Sequence, residues 1–583
     1  MPSPSAISPV MSSFSLVFWA ILFAFSWLLP VHFPPWSTFP ADAWSAVLGS
    51  VAALILLFRS SSALNWHGLP CLAAGLIFLP WIQFFFGLLP FAGQAWISSA
   101  YLLGFLLALL IGARWELASP AQLAHGLFIA IGLAAMASVG LQLYTWLGLS
   151  ESGVMGIWSL GLTGSRPYAN LGQPNLLATL LVWGLMACLW AYLHKAVGKW
   201  TAICGAAFIL LGIALTQSRA GFLALSVILV AVWFWRGLWP SRQLPRVASG
   251  LYLYVLMIPA LLQWLNSALL LEQYEIYVRV RQQGELRLGA WRMFFQAVSE
   301  RPWFGYGWTE VSSAQIAVAD RFPSQNGIFQ LSHNLFLDMV LWTGLPIGFF
   351  VAAILIRWLW LRFRAVRRPE EAALFLLLVA VGIHALVEFP LQYAYFLLPV
   401  GLVMGMLNVR LGAKVVATLP HWVLSGIWLA AVAVLGVTIR DYARVDIGYG
   451  LLRLEQSIVG QGRGPMGGPP DVWVLTQLRE WIVMARFRVR PSMSQKELEE
   501  MAILTRSYPS LNLAYRLATA FALNGQPAEA RVWLSKICNF TDEVQCLLAQ
   551  RTWALESLND PRIAFITWPA ADAVERKGNA NVR

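Results

Sequence analysis

Residues 198–236 read GKWTAICGAAFILLGIALTQSRAGFLALSVILVAVWFWR. Two apolar stretches, 198–217 and 219–236, meet at the polar break Ala214-Leu-Thr-Gln-Ser-Arg-Ala-Gly221. Each is close to the roughly 20 residues of helix that cross a hydrocarbon core about 30 Å thick. Lys199 and Arg236 stand at the far ends, and Arg219 stands at the tip. No carboxylate lies within twenty residues of Arg219 on either side. The stretch reads as an out-and-back pair of membrane helices with one guanidinium at its turn.

The pattern extends along the chain. Of its 583 residues 58% are hydrophobic and 12% charged, with mean hydropathy +0.64, where soluble domains are about a quarter charged. Apolar runs at 13–30, 43–58, 69–87, 96–113, 122–148, 174–194, 198–217, 219–236, 248–268, 334–359, 371–388, 391–410 and 419–438 predict thirteen spans. The fold class expected is an all-α polytopic membrane protein. The first run lacks a cationic lead and a small-residue cleavage site, so it reads as a retained helix. An odd count puts the two ends on opposite sides.

Cations orient the bundle. With the N-terminus inside, the inner loops hold Arg59, Arg114, Lys195, Lys199, Arg236, Arg242, Arg246, Arg357, Arg362, Arg364, Arg367, Arg368, Arg410 and Lys414. The short outer connections near 31–42, 88–95 and 389–391 hold none. The net charge of +12 is thereby explained without nucleic acid. The outer side retains Arg166, Arg219 and, in the long loop 269–333, Arg279, Arg281, Arg287, Arg292, Arg301 and Arg321. Glu272, Glu275, Glu285 and Glu300 are available to pair with the loop arginines. An ionisable group at membrane depth marks function by default, which favours an anion-binding role for Arg219.

After residue 440 charges return, giving a membrane domain over 1–440 and an outer domain over 441–583. Gly460–Pro470 reads as linker, and LNLAYRLATAFALNGQPAEARVWLSKI (511–537) has helical periodicity broken at Gly525–Pro527. This is one tetratricopeptide-like unit, so the tail is expected to be small and helical. Cys538 and Cys546 lie in it and could pair; Cys71, Cys188 and Cys204 sit in apolar runs and read as packing residues.

The chain has no phosphate-binding Gly-x4-Gly-Lys-Ser/Thr loop, so nucleotide-driven pumping is not expected. No outer loop carries an Asp-x-Asp pair, and the first offers Asp42 alone. No metal and no cofactor are expected.

Three outer segments remain: Thr216 to Ala220; Arg287-x3-Trp291-Arg292 with Arg301-Pro-Trp-Phe-Gly305-Tyr-Gly307; and Ser332-His333-Asn334 ahead of Gly344-x3-Gly348. In this order they resemble the O-antigen ligase and polymerase superfamily. Pro34-Pro35-Trp36, Gly172-Gln173-Pro174-Asn175, and His384-x3-Glu388-x-Pro390 with Tyr393 and Tyr395 resemble its protein O-oligosaccharyltransferase, or pilin-glycosylating, branch. Leu176 follows the Gln-Pro-Asn turn, where that branch often has a bulky polar residue. The resemblance covers about residues 10–440.

It implies inverting transfer of a preassembled oligosaccharide from undecaprenyl diphosphate to serine or threonine of an exported, pilin-like protein. The active site and tail would be periplasmic, in a bacterial inner membrane. The residue chemistry agrees. Arginine presents a planar fork to phosphate oxygens and keeps its charge, which suits Arg219 and Arg287, with Arg292 and Arg166 as further candidates. A hydroxyl nucleophile needs a base, and histidine titrates near neutrality. His333, directly after the arginine-rich loop, is the candidate; its plainer role is that of a helix-start residue bonded to backbone.

His384 and Glu388 are four apart and share a helix face; they could brace the Pro390 turn or take part in chemistry. Tyr393 and Tyr395 are either interfacial anchors or substrate contacts. Gln173 and Asn175 either cap the next helix or contact ligand. An O-antigen ligase acting on lipid A–core, or a glycan polymerase, is the rival within the superfamily. A transporter of anionic lipid or solute is the rival outside it.

Overall fold

The computed structural model describes residues 9–59, 63–149, 158, 166–268, 279–457 and 465–569, with side chains left out at Gln263, Asn266, Ser267 and 279–286. Glu272, Glu275, the side chains of Arg279, Arg281 and Glu285, and much of the 460–470 linker lie outside the described residues.

A helix overlaps each of the thirteen expected spans. Among the described residues nine are long and apolar enough to cross a membrane: Phe39–Arg59, Gly68–Phe85, Ala92–Ala118, Gln122–Trp146, Pro174–Leu193, Lys199–Thr216, Leu244–Leu262, Leu335–Ala365 and His421–Gln456. Ser13–Ala24, Arg219–Phe234, Pro369–Ala385 and Ala394–Arg410 are shorter. In lipid every backbone donor must be satisfied within its own segment, which explains the helices; proline at N1 opens two of them, at Pro174 and Pro369.

The chain divides into two compact units. The first comprises residues 1–78, 99–279 and 354–439. Its helices approach closely where glycine allows it. A Cβ on Gly405 would stand 2.2 Å from the Leu109 carbonyl, and one on Gly112 would stand 2.1 Å from that of Leu402. Small residues are the means of such contacts in membranes. Two short strands, Leu64–His67 and Val415–Leu419, pair antiparallel. They were not expected; the β-branched residues Val415 and Val416 lay in a segment read as an inner loop. Arg114, also read as an inner-loop cation, is buried within Ala92–Ala118. Glu116 of that helix pairs with Arg410 at 2.9 Å.

The second unit comprises residues 79–98, 280–353 and 440–583. The helix Leu335–Ala365 breaks at Gly344 (φ 79°, ψ 171°). There the amide of Tyr306 donates to the Leu341 carbonyl and that of Leu345 to the Pro302 carbonyl, both at 2.7 Å. A Cβ on Gly344 would lie 2.2 Å from the Trp303 carbonyl. The Pro-x-x-Gly-x-Gly motif is therefore a backbone dock for a broken helix.

The boundary expected at 440 falls inside the continuous helix His421–Gln456. Just past it the buried Asp441 accepts from the amides of Trp473 and Val474, both at 2.6 Å. The tail helices Gln495–Ser507, Leu511–Leu523, Pro527–Phe540 and Glu543–Asn559 pack around Leu498, Leu517, Trp533 and Leu534. Gly525, with φ +76°, and Pro527 at N1 make the turn expected there. Cys538 and Cys546 form a disulfide.

Candidate active site

Arg219 owes its position to the two residues before it. Gln217 ends the helix Lys199–Thr216 in the left-handed region, at φ 49°. Ser218 turns to extended backbone and caps the next helix, its Oγ accepting from the Gly221 amide at 3.1 Å. A Cβ on Gly221 would lie 2.9 Å from that of Ala178, so the helix start sits directly against Pro174–Leu193. Arg219 becomes the first helical residue, and it is exposed. Unpaired amide donors and the helix dipole favour an anion there.

A hydrogen-bonded network fixes this turn. Asn175 Oδ1 accepts from Ser218 Oγ at 2.7 Å and from Arg166 Nη2 at 3.3 Å. Asn175 Nδ2 donates to Glu388 Oε1 at 2.8 Å, and Gln173 Nε2 to Glu388 Oε2 at 3.4 Å. Arg166 Nε donates to the Thr216 carbonyl at 2.7 Å. One turn lower, Thr179 Oγ1 and His384 Nδ1 lie 2.7 Å apart. Four separately suspected residues, Arg166, Gln173, Asn175 and Glu388, thus meet around the turn that presents Arg219.

Gln173 occupies the N-cap position of its helix, yet its side chain makes no capping bond. The i, i+4 pair Asn175 and Thr179 faces the i, i+4 pair Glu388 and His384, so each side chain of the second pair is engaged by the first. Ser218 and Thr179 carry this arrangement and were missed as site residues. The former lay in view within the Thr-x-Ser-Arg motif; the latter had no signal beyond its spacing from Asn175.

Tyr393 and Tyr395 stack on one another with ring centroids 5.2 Å apart. Beside them Asp42 accepts from the Ala394 amide at 2.6 Å and from Tyr101 Oη and Thr38 Oγ1, both at 2.9 Å. The one carboxylate of the first outer loop is thus an anchor for the start of the helix Ala394–Arg410. Nothing in the sequence linked Asp42 or Tyr101 to it.

The second unit holds the remaining candidates. Arg287, Trp291 and Arg292 lie on the helix Arg279–Glu300. Trp291 Nε1 donates to the Ser332 carbonyl at 2.9 Å, tying that helix to the residue before His333. The Ser332 amide donates to Asp338 Oδ1 at 2.6 Å. Asn334 Oδ1 accepts from the amides of Phe336 and Leu337, both at 3.1 Å. Asn334 therefore caps the helix. His333 has φ +59°, a left-handed conformation; its ring meets Phe329 edge to face at 5.7 Å. Arg287 is half-buried and Arg292 exposed.

In the same unit Glu310 is buried and accepts from Gln94, Ser313 and Ser507. Burial pushes its carboxyl above the ordinary range, against the pull of those three donors. Burial likewise pushes Tyr306 up to about 12, where Arg301 lies over its ring at 4.9 Å.

The O-Antigen ligase family matches residues 204–352, which include Arg219, Arg287 and His333. A Protein glycosylation ligase family matches 167–193, spanning Gln173 to Thr179. The family described as Virulence factor membrane-bound polymerase, C-terminal, matches 372–549. Among curated proteins, the General O-oligosaccharyltransferase of Acinetobacter baylyi is 33% identical over 450 residues, covering 74% of this chain and 76% of its own. The ComP-specific O-oligosaccharyltransferase of the same organism is 28% identical over 252 residues, 42% of this chain and 44% of its own. These likenesses make the multi-pass helical chain a glycosyltransferase, and it belongs to the O-oligosaccharyltransferase family of the O-antigen ligase superfamily.

Proposed function

We propose that this enzyme transfers a preassembled oligosaccharide from undecaprenyl diphosphate to serine or threonine hydroxyls of exported, pilin-like proteins. It works on the periplasmic face of a bacterial inner membrane that it crosses about thirteen times. The observation that carries the reading is exposed Arg219 at a helix N-terminus, on a turn held through Ser218 by a network that reaches Glu388.

The anomeric carbon–oxygen bond to diphosphate breaks, and a bond from that carbon to the acceptor oxygen forms from the opposite face. His333 takes the hydroxyl proton. Arg219 and Arg287 neutralise the departing diphosphate, with Arg292 as a further contact, so neither an acid nor a metal is required for its departure. Arg166 spends two of its nitrogens on Thr216 and Asn175, which makes it a positioning residue for the Arg219 turn. Gln173, Asn175 and Glu388 act in the same way. Tyr393 and Tyr395 offer a stacked aromatic face for sugar or acceptor. The tetratricopeptide-like tail, within 441–583, holds the acceptor polypeptide outside the membrane.

The test is reconstitution of the purified chain with lipid-linked oligosaccharide and two acceptors, a pilin-like protein and lipid A–core. Glycan on serine or threonine peptides by mass spectrometry is the expected result. Glycan on lipid A–core alone would make the chain an O-antigen ligase. Movement of donor across the bilayer with neither acceptor modified would make it a transporter.

A further inference from the structure

At the end of the first unit opposite Arg219, the helices Pro174–Leu193, Lys199–Thr216, Arg219–Phe234 and Leu244–Ala268 enclose a cavity of about 180 Å³. A single water needs roughly 10–15 Å³, and apolar cavities of this order stay dry and accept hydrocarbon. Its wall is almost wholly apolar, with Met186, Leu210, Leu225, Ile228 and Val247 among the lining residues. Of the hydroxyls in the lining, Tyr252 Oη is bonded to Ser226 Oγ at 2.7 Å.

The mouth differs. Lys199 lines it, and its Nζ donates across to Gln243 Oε1 at 3.3 Å. The connections on either side, 194–199 and 235–246, add Lys195, Arg236, Arg242 and Arg246, all exposed, and contain no carboxylate. Trp200 is 73% exposed beneath Lys199, as an interfacial side chain would be. An apolar slot with cations at its mouth has the shape and charge of a site for a lipid with an anionic head.

We infer that this cavity is a binding site for an anionic phospholipid, one acyl chain inserted between the four helices and the phosphate held by Lys199 and its cationic neighbours. Leu225, Ile228 and Val232 of its wall belong to the helix that begins with Arg219. The lipid thus braces, from below, the element that presents the catalytic guanidinium. This site is separate from the donor-binding role proposed above and does not depend on it.

Native mass spectrometry of the delipidated full-length chain, offered equal phosphatidylglycerol and phosphatidylcholine of matched chains, tests the inference. Near a membrane surface one cation is worth about fivefold in binding an anionic lipid. The expected result is therefore retention of phosphatidylglycerol at least about fivefold over phosphatidylcholine, with Lys199→Gln reducing the preference by about that factor. Ala248→Trp, which fills the slot, should abolish retention of either lipid. Should that variant misfold, protection of Cys188, a wall residue, from maleimide by phosphatidylglycerol in a Cys71→Ser, Cys204→Ser background reads chain insertion directly. Equal retention of the two lipids, an unchanged preference in Lys199→Gln, or no protection of Cys188 overturns the proposal. Displacement of the bound lipid by undecaprenyl phosphate would also overturn it, by giving the cavity to the donor's tail.

Discussion

Asn175→Asp changes one atom of the network and should disable the enzyme. Asn175 Nδ2 donates to Glu388 Oε1 at 2.8 Å, and Glu388 is 3% exposed. The substitution replaces that donor by a second carboxylate oxygen. Two unit charges at about 2.8 Å repel by roughly 6 kcal/mol at an effective dielectric near 20, against the 1.5–3 kcal/mol or so that the lost bond to a charged group contributed. The turn relieves the conflict by moving apart, which carries Ser218 and Arg219 with it. A misplacement of about 1 Å at a reacting centre costs on the order of 10²-fold. Transfer by the variant, assayed with lipid-linked oligosaccharide and acceptor protein, should fall by about that factor.

The decisive measurement is the double variant Asn175→Asp, Glu388→Gln. It exchanges donor and acceptor across the same contact, since the new amide can donate to the new carboxylate, which still accepts from Ser218 and Arg166. If Glu388 only positions Asn175, the double variant recovers most of the lost rate. If the double variant folds with wild-type thermal stability yet stays as inactive as the single one, Glu388 acts in the chemistry and the positioning argument is wrong. Wild-type transfer by the single variant would sink the network's role altogether.

Three further outcomes are expected. Arg219→Lys keeps the charge but loses the fork, so transfer should drop roughly 10–100-fold, the value of one charge-assisted bond pair, with expression unchanged; normal rates in both Arg219→Lys and Arg219→Ala would remove the diphosphate role. His333→Asn suits the left-handed backbone at that position, because asparagine tolerates positive φ, and it removes the base. Turnover should fall about 10²–10⁴-fold while donor binding and melting temperature hold, and a normal rate would place the base elsewhere. Glu310 is an acid whose folded pKa is raised, so the folded state binds more protons than the unfolded one between the ordinary value near 4.5 and the raised value. Stability should therefore fall as pH rises through that window, and Glu310→Gln should flatten the dependence in a thermal scan; an unchanged slope would show that Glu310 does not cause it.

The membrane helices were legible because lipid imposes one rule on every span, namely some twenty apolar residues with polar ends. Where that rule stops, so does legibility. Leu419 belongs to a short strand, although its apolar neighbours place it in a span. The helix His421–Gln456 runs far past 438 because Arg440 to Gln456 keeps helix-forming residues after the apolar ones end. The candidate site was legible as a set of motifs in order. Their grouping was not, because pairing Asn175 with Glu388 joins residues 213 apart. The choice between capping and contact for Gln173 and Asn175 turned on neighbours that only the fold supplies. Glu310 had no signal, since its partners Gln94 and Ser507 come from distant segments.

The span of chain closed by the Asn175–Glu388 bond also bears on biosynthesis. Spans enter the membrane in order as the ribosome delivers them, and Glu388 is the last residue of the eleventh expected one. Until then the amides of Gln173 and Asn175 have no carboxylate to receive them, and the turn bearing Arg219 has no fixed setting. A nascent chain holding Arg219, Arg287 and His333 therefore has its motifs before it has this network. The network closes late and at once, when the last polar partner is threaded home.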